Sequence, residues 1–446
     1  MADAQGDQGP PLDPERVLEQ ILSTDTGDMQ AVARLADALR YHEKGFRKRP
    51  EAASQIAQHV ELPKDTAAAA FLLSIAADAP RTVMKEWNKM ASRLLTQHRP
   101  AHVRFVKAEF SAVVRRFADN HMNPKPSVAA LGPLQSAMGS LSGGEPALLT
   151  PAHAAYLRAA LATGHVQKAH TVAKVPVFQV QSRQDGMHYT DALLYFYYAG
   201  SALCAYQDWR AAVQAFTCAL AFPATALSSI VVAAYKKFVC ASLLHSGSVS
   251  PLPRHTSSTV SKTVSKHAQA YTTLAKAFQS LNDVAVGTVI AENTAAFQGD
   301  SNLGLVMQVL ASLKQRRVLK LTNTFLTLSL ADIAEKAELE SPAAAEAELL
   351  SMIQDGKLRA TIDQRVGMVT FGGEGQAYAT PAEVSRLTQR IATATDVARH
   401  FSSLSKTVEV SDEYLERKIT SQSADAGQGG VGGGAGADAD VQGMTG

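Results

Sequence analysis

Residues 318–371, VLKLTNTFLTLSLADIAEKAELESPAAAEAELLSMIQDGKLRATIDQRVGMVTF, constrain the fold more than any other part of the 446-residue chain. Ser329 with Asp332 fits an S-x-x-D capping box, and Leu330, Ile333, Ala334 and Ala337 follow at i, i+3, i+4 and i+7. Ser341 is a further N-cap, Pro342 takes the first helical position, and Gly356 supplies the C-terminal stop. Beyond it Leu358, Ala360 and Ile362 alternate, Gly367 breaks the run, and Val369 and Phe371 alternate again. That pattern predicts a β-hairpin with a five-residue loop. Helix, capped helix and two-stranded hairpin together describe a winged helix, with Leu330, Ile333, Leu349 and Ile353 as its expected core.

Winged helices often read DNA, but these residues argue against it. The helix that would enter the major groove, residues 342–355, contains no Lys or Arg and carries Glu346, Glu348 and Asp355. Affinity for a duplex comes mainly from neutralising phosphates with basic side chains, so an acidic helix is repelled. A protein–protein surface or plain structural core remains.

A formal net charge of +2 and 46% hydrophobic residues give no whole-chain signal for nucleic acid or an anionic membrane, and allow a sizeable core. The first residues, MADAQGDQGPPLDP, lack the basic start and apolar run of a secretory signal. The uncharged, aromatic-rich stretch Ala192 to Gln207 is too short to span a bilayer. Cys204, Cys218 and Cys240 contain no C-x-x-C and read as buried free thiols of a reducing compartment. These features predict a soluble intracellular protein.

The remaining text is helical. Residues 1–14 are polar and proline-containing and read as disordered. Val32, Leu35, Ala36 and Leu39 share one helix face, and Thr66 to Ala77 is Ala/Leu-rich, which suits close packing between neighbours. Tyr156 to Lys174, turning at Gly164, reads as one helix pair, and Asp191 to Pro223, turning at Gln207-Asp208, as the next. Gly200, Ala212, Phe216 and Ala219 sit at offsets 0, 12, 16 and 19, the small and aromatic positions of a tetratricopeptide-like pair. Small residues let paired helices approach, while Phe fills the space between successive pairs. The expected architecture is mainly α: a TPR-like or HEAT-like right-handed α-solenoid over 15–185, continuing over 186–317 into the winged helix of 318–372. The Ser/Thr-dense segment 246–266 reads as a loop, with Ser250-Pro251 as a candidate phosphorylation site.

Residues 380–420 have their own logic. Thr380, Pro381 and Glu383 start a helix in which Val384, Leu387, Ile391, Ala394, Ala398 and Phe401 recur at spacings of three and four, with Leu404 and Val408 beyond. A narrow seam on a helix that follows a completed domain favours bundling with other chains over folding back. Residues 421–446 are Gly/Ala/Asp-rich and read as a disordered tail.

Signatures of chemistry are scarce. There is no G-x-x-x-x-G-K-[ST], and the G-x-G-x-x-G of Gly427, Gly429 and Gly432 lies in the tail with no strand before it. None of the thirteen histidines forms H-x-H or H-E-x-x-H, so no catalytic, cofactor or metal residue is assigned. Cys–His partners can lie far apart in a chain, and no local signature supports such a pair. Tyr195 to Tyr198 lack basic interleaving and read as helix packing. The basic cluster Lys314, Arg316, Arg317 and Lys320 reads as a solvated helix face or as a patch for an acidic partner; a nucleic-acid adaptor working through these four residues is the alternative function.

Three stretches also carry a family resemblance: Ala234-Tyr235-Lys236-Lys237 with Leu252-Pro253 and Thr256-Ser257; Asn302-Leu303-Gly304-Leu305-Val306; and Leu321 to Ala334 followed by Met352-Ile353-Gln354-Asp355-Gly356. With a helical array running into a winged helix and a trailing helix, the chain resembles the PCI-domain family. Its members are scaffold subunits of the proteasome lid, the COP9 signalosome and the translation initiation factor 3 complex. Within it the resemblance is to the subunit 3 branch of the signalosome, continuous from about Tyr189 to Phe371 and thinner before.

The resemblance implies a non-catalytic scaffold, without cofactor, in the cytoplasm and nucleus. Its complex removes Nedd8 from cullin–RING ubiquitin ligases through a zinc metalloprotease centre on a different subunit. It assigns the wing strands, with Leu358, Ile362, Met368, Val369 and Phe371, to pairing with a neighbouring PCI subunit. Val384, Leu387, Ile391, Phe401 and Leu404 go to a shared C-terminal bundle. An exposed sheet edge offers unpaired backbone groups for the first of these contacts.

Overall fold

The structure is a computed structural model that describes residues 14–77, 84–123, 125–224, 226–372, 381–412 and 414–419. Residues 1–13 of the expected disordered N-terminus, the Gly-rich tail, the accidental G-x-G-x-x-G and Thr380 lie outside these residues, as do the side chains of Pro381 and Glu383, while Pro14 already opens the helix Pro14–Ser23. The described residues fall into two compact units. One runs to Leu321 and includes Lys336–Leu339; the other comprises Thr322–Glu335 and the chain from Glu340 onward.

The first unit is built from packed helices. Its N-terminal helices gather around Thr66–Ala76, TAAAAFLLSIA, every residue of which except Ser74 is buried. Its small side chains let Pro50–Gln58, Lys107–Met122 and Met29–Tyr41 approach from different sides. The Trp87 indole donates to the Leu73 carbonyl at 3.0 Å and ties Met84–Gln97 to the same helix. No helix among the described residues is long and apolar enough to cross a membrane.

Helix pairs follow. Thr150 caps Pro151–Ala162, and the backbone N–H of Thr150 donates to Nδ1 of His153, closing a capping box. The chain turns at Gly164 into Val166–Ala173. A short parallel pairing of β1 (Leu148–Leu149) with β2 (Gln179–Val180) brackets this pair, and no periodicity announced it. Tyr189–Ala205 and Trp209–Ala221 form the next pair, turning through Gln207 at φ 61°. A Cβ on Gly200 would lie 2.6 Å from the Phe216 ring, so the two helices meet closely. Phe216 thus fills the space inside its own pair, where the sequence placed it between pairs.

Tyr189–Ala205 joins the two expected helical segments, 15–185 and 186–317. Its Ala192, Tyr195, Ala199 and Ala202 belong to one core cluster that begins at Val17. Its Leu193 and Leu203 belong to a second that runs to Leu313. Two faces of one helix serve two cores, so the helical array is continuous there.

Three further differences concern helices. Residues 258–268 are helical within the expected loop, with Ser257 accepting from the Val260 N–H as N-cap. Residues 282–297, which the sequence alone reads as one helix, are divided at Asn293 into Asp283–Glu292 and Thr294–Gly299. Leu303–Thr322 runs straight through the expected start of the winged helix at 318, because no proline or glycine falls between 305 and 322.

Candidate functional site

In the second unit Ser341 accepts from the Ala344 N–H and starts Pro342–Gln354, and Gly356 follows at φ +68°. Ser329 Oγ accepts from the Asp332 N–H at 3.1 Å and donates to its carboxylate at 2.7 Å, starting Leu330–Lys336. The capping reading therefore holds at both helices. The hairpin consists of β4 (Ala360–Asp363) and β5 (Met368–Phe371), joined by a four-residue loop because Asp363 still pairs with Met368. The sequence missed a third strand, β3 (Thr327–Ser329), which pairs antiparallel with β5 so that the order is β3-β5-β4. Three residues are too few for alternation to register, and Leu326 and Leu328 passed for helix.

That strand changes the meaning of the wing. β5 is central, with both backbone edges occupied, and offers nothing to a neighbour. Val369 is 0% exposed, and Phe371 and Leu358 are buried beside it. The expectation that Leu358, Val369 and Phe371 line an interface is corrected: all three are buried in the unit's own core, Val369 and Phe371 by alternation on the central strand and Leu358 in the segment that leads into β4. Ile362 and Met368 are half-buried. Among the described residues the outer strands are β4 and β3. Of the expected core, Ile333 and Leu349 are fully buried, while Leu330 and Ile353 are half-buried; Met352 and Ala345 are buried members not foreseen.

The terminal helix Pro381–Glu409 has 29 residues, about 43 Å at 1.5 Å per residue. Its seam is open to solvent: Phe401 is 71% and Ile391 66% exposed, Val384 and Leu387 are exposed, and Leu404 is half-buried.

The basic cluster is not a patch. Arg317 is 6% exposed and donates to the Leu281 carbonyl through Nε and Nη2 at 2.9 and 2.8 Å, and to the Ala337 carbonyl at 3.3 Å. It also pairs with Asp283 and Glu338, each at 3.1 Å. Arg316 donates to the Leu243 and Leu244 carbonyls at the end of Ser229–Ser246, and burial lowers its pKa. Only Lys314 and Lys320 of the four are exposed. A basic surface made by all four residues is thereby overturned: the two guanidiniums bind helix-end and turn carbonyls inside the first unit.

Two of the stretches that carry the resemblance, those of Lys236-Lys237 and of Asn302, meet at a half-buried polar node. Lys236 Nζ meets the Asp300 carboxylate at 2.6 Å, and Lys237 donates to Asn302 Oδ1 at 2.7 Å. Asn302 Nδ2 donates to the Tyr271 hydroxyl, which donates to Asp300. Burial lowers the Lys237 pKa. Every described member is satisfied, so the node holds Ser229–Ser246 to the start of Leu303–Thr322. Of the free cysteines, Cys240 is buried and its thiol is pushed up to about 12 by desolvation, whereas Cys218 is exposed, against expectation. Tyr195 is buried as packing.

Packed helix pairs leading into a three-stranded winged helix and a trailing open-seamed helix define a subunit of the PCI type. A model of the N-terminal helical repeats of COP9 signalosome complex subunit 3 matches residues 29–260, and a PCI-domain model matches residues 290–372. The chain is similar to COP9 signalosome complex subunit 3 of Dictyostelium discoideum, 31% identical over 316 residues, 71% of this chain and 75% of that one. It is also similar to COP9 signalosome complex subunit 3 of Drosophila melanogaster, 32% identical over 233 residues, 52% of each chain. The chain belongs to the COP9 signalosome complex subunit 3 family.

Proposed function

We propose that this chain is a non-catalytic scaffold subunit of the COP9 signalosome, held among other PCI subunits, and that it supports removal of Nedd8 from cullin–RING ligases by a metalloprotease subunit of that assembly in cytoplasm and nucleus. The observation that carries the proposal is the open apolar seam of Pro381–Glu409. Leaving Ile391 and Phe401 in water forgoes about 1.5–3 kcal/mol each, which a bundle of like helices would recover. The outer backbone of β4 is the second proposed contact, since an outer strand presents unpaired N–H and C=O groups to a neighbouring sheet.

The test is affinity purification of the tagged chain from its native cells, with partners identified by mass spectrometry and cullin–Nedd8 cleavage assayed on the eluate. A large assembly containing a metalloprotease subunit and that cleavage is expected. Ile391→Asp with Phe401→Asp should keep the helical circular-dichroism signal and lose the assembly. Recovery of proteasome-lid or initiation-factor subunits would overturn the choice of complex, and normal assembly of the double variant would overturn the bundle.

A further inference from the structure

The N-terminal helices hold a cavity of about 280 Å³ that plays no part in the contacts proposed above. Its apolar floor is formed by Val60, Leu62, Leu73 and Met90. The walls are fixed, because Leu73 is buried and its carbonyl is tied by Trp87. One rim is a single helical stripe, Glu86, Lys89, Met90 and Arg93, at i, i+3, i+4 and i+7. Glu86 is engaged by the Gln58 amide at 3.3 Å across the opening. Lys89 and Arg93 are exposed and have no carboxylate partner among the described residues.

We infer that this cavity is a docking site for an acidic segment of another polypeptide, which inserts one bulky apolar side chain and lays neighbouring carboxylates on Lys89 and Arg93. The size suits a single apolar side chain. A dry cavity of about 150 Å³ already accepts benzene, so 280 Å³ takes a Leu or Phe side chain with room to spare. It lies at the lower edge of the roughly 300–1,000 Å³ typical of small-molecule sites. A single buried anchor surrounded by a charged rim is how protein interfaces concentrate their affinity. Charge decides the partner: two unpaired cations against one engaged carboxylate favour acidic residues on either side of the anchor and disfavour basic ones.

The test is fluorescence polarisation with the full-length chain and a fluorescein-labelled peptide, Asp-Glu-Leu-Phe-Glu-Asp. Two controls replace its acids by Asn and Gln, or its Leu-Phe by Gly-Gly. Saturable binding of the first peptide is expected, weakened at least tenfold in either control and in the variant Lys89→Glu with Arg93→Glu. The variant should retain the wild-type thermal midpoint, since neither side chain has a partner to lose, and Lys89→Arg should bind normally. No saturable binding at low salt, equal binding of the Gly-Gly peptide, or unchanged affinity in the double variant would each overturn the inference.

Discussion

Replacing Arg317 by alanine tests the reversal of the basic cluster most directly. The guanidinium forks onto one acceptor, the Leu281 carbonyl, at 2.9 and 2.8 Å and reaches the Ala337 carbonyl at 3.3 Å. Leu281 and Glu338 both hold φ 54°, the left-handed region that costs a non-glycine residue about 1 kcal/mol or more. Arg317 therefore fastens two strained turns. The ion pairs add little, because the Asp283 and Glu338 side chains are 44% and 71% exposed and water replaces the lost partner. Hydrogen bonds from a charged donor contribute roughly 1.5–3 kcal/mol each, and counting the fork as one gives a loss of about 3 kcal/mol. At 1.4 kcal/mol per tenfold, amide-exchange protection around residues 281–286 and 336–339 should fall roughly 100-fold. Arg317→Lys should lose about half of that free energy, because an ammonium cannot reproduce the fork. Lys314→Ala and Lys320→Ala, at exposed positions, should change protection by less than about threefold, within about 0.5 kcal/mol. If Arg317→Ala behaved like Lys314→Ala, the burial argument would be wrong.

Further expectations follow from close packing and from protonation. Gly200→Ala puts a methyl 2.6 Å from a fully buried Phe216 ring and should cost about 1–3 kcal/mol in urea unfolding; Phe216→Leu added to it should restore part of that loss, and additive effects would refute the contact. Burial lowers the pKa of His153 to about 4, and its Nδ1 accepts from Thr150 only when unprotonated. Above pH 6.5 the residue is neutral in both states. As pH falls from 6.5 to 4 the unfolded chain takes the proton first, so stability should drop by up to about 3 kcal/mol in that window; His153→Gln should flatten the pH profile of the thermal midpoint there. Val369→Asp should unfold the wing, costing more than about 3 kcal/mol, whereas Thr361→Asp on the exposed face should be nearly silent by circular dichroism.

The parts of this fold that local chemistry writes were legible. Ser329, Ser341, Pro342 and Gly356 set helix ends within four residues of themselves, and Gly200 with Phe216 announced a close helix pair through spacing alone. The heptad-like seam from Val384 to Leu404 was readable because a single helix repeats it. What escaped depends on partners distant in sequence. Arg317 shows a charge to the reader of a sequence, while its acceptors lie 36 residues before it and 20 after. The same holds for Val369 and Phe371: alternation reveals a strand, but only the pairing with Thr327–Ser329 reveals that the strand is central.

The helix Tyr189–Ala205 acts as a party wall. Ala199 and Ala202 face one room, Leu193 and Leu203 the other, and neither can be demolished without exposing the helix to water on that side. In a stacked array stability is a sum of local terms and neighbour couplings, and the coupling is largest where one element counts in both. A chain severed at 186 would leave the wall with one half and strip the other of the surface it leaned on. Damage begun in the N-terminal helices therefore does not stop at residue 186; it is carried across by the backbone of a single helix.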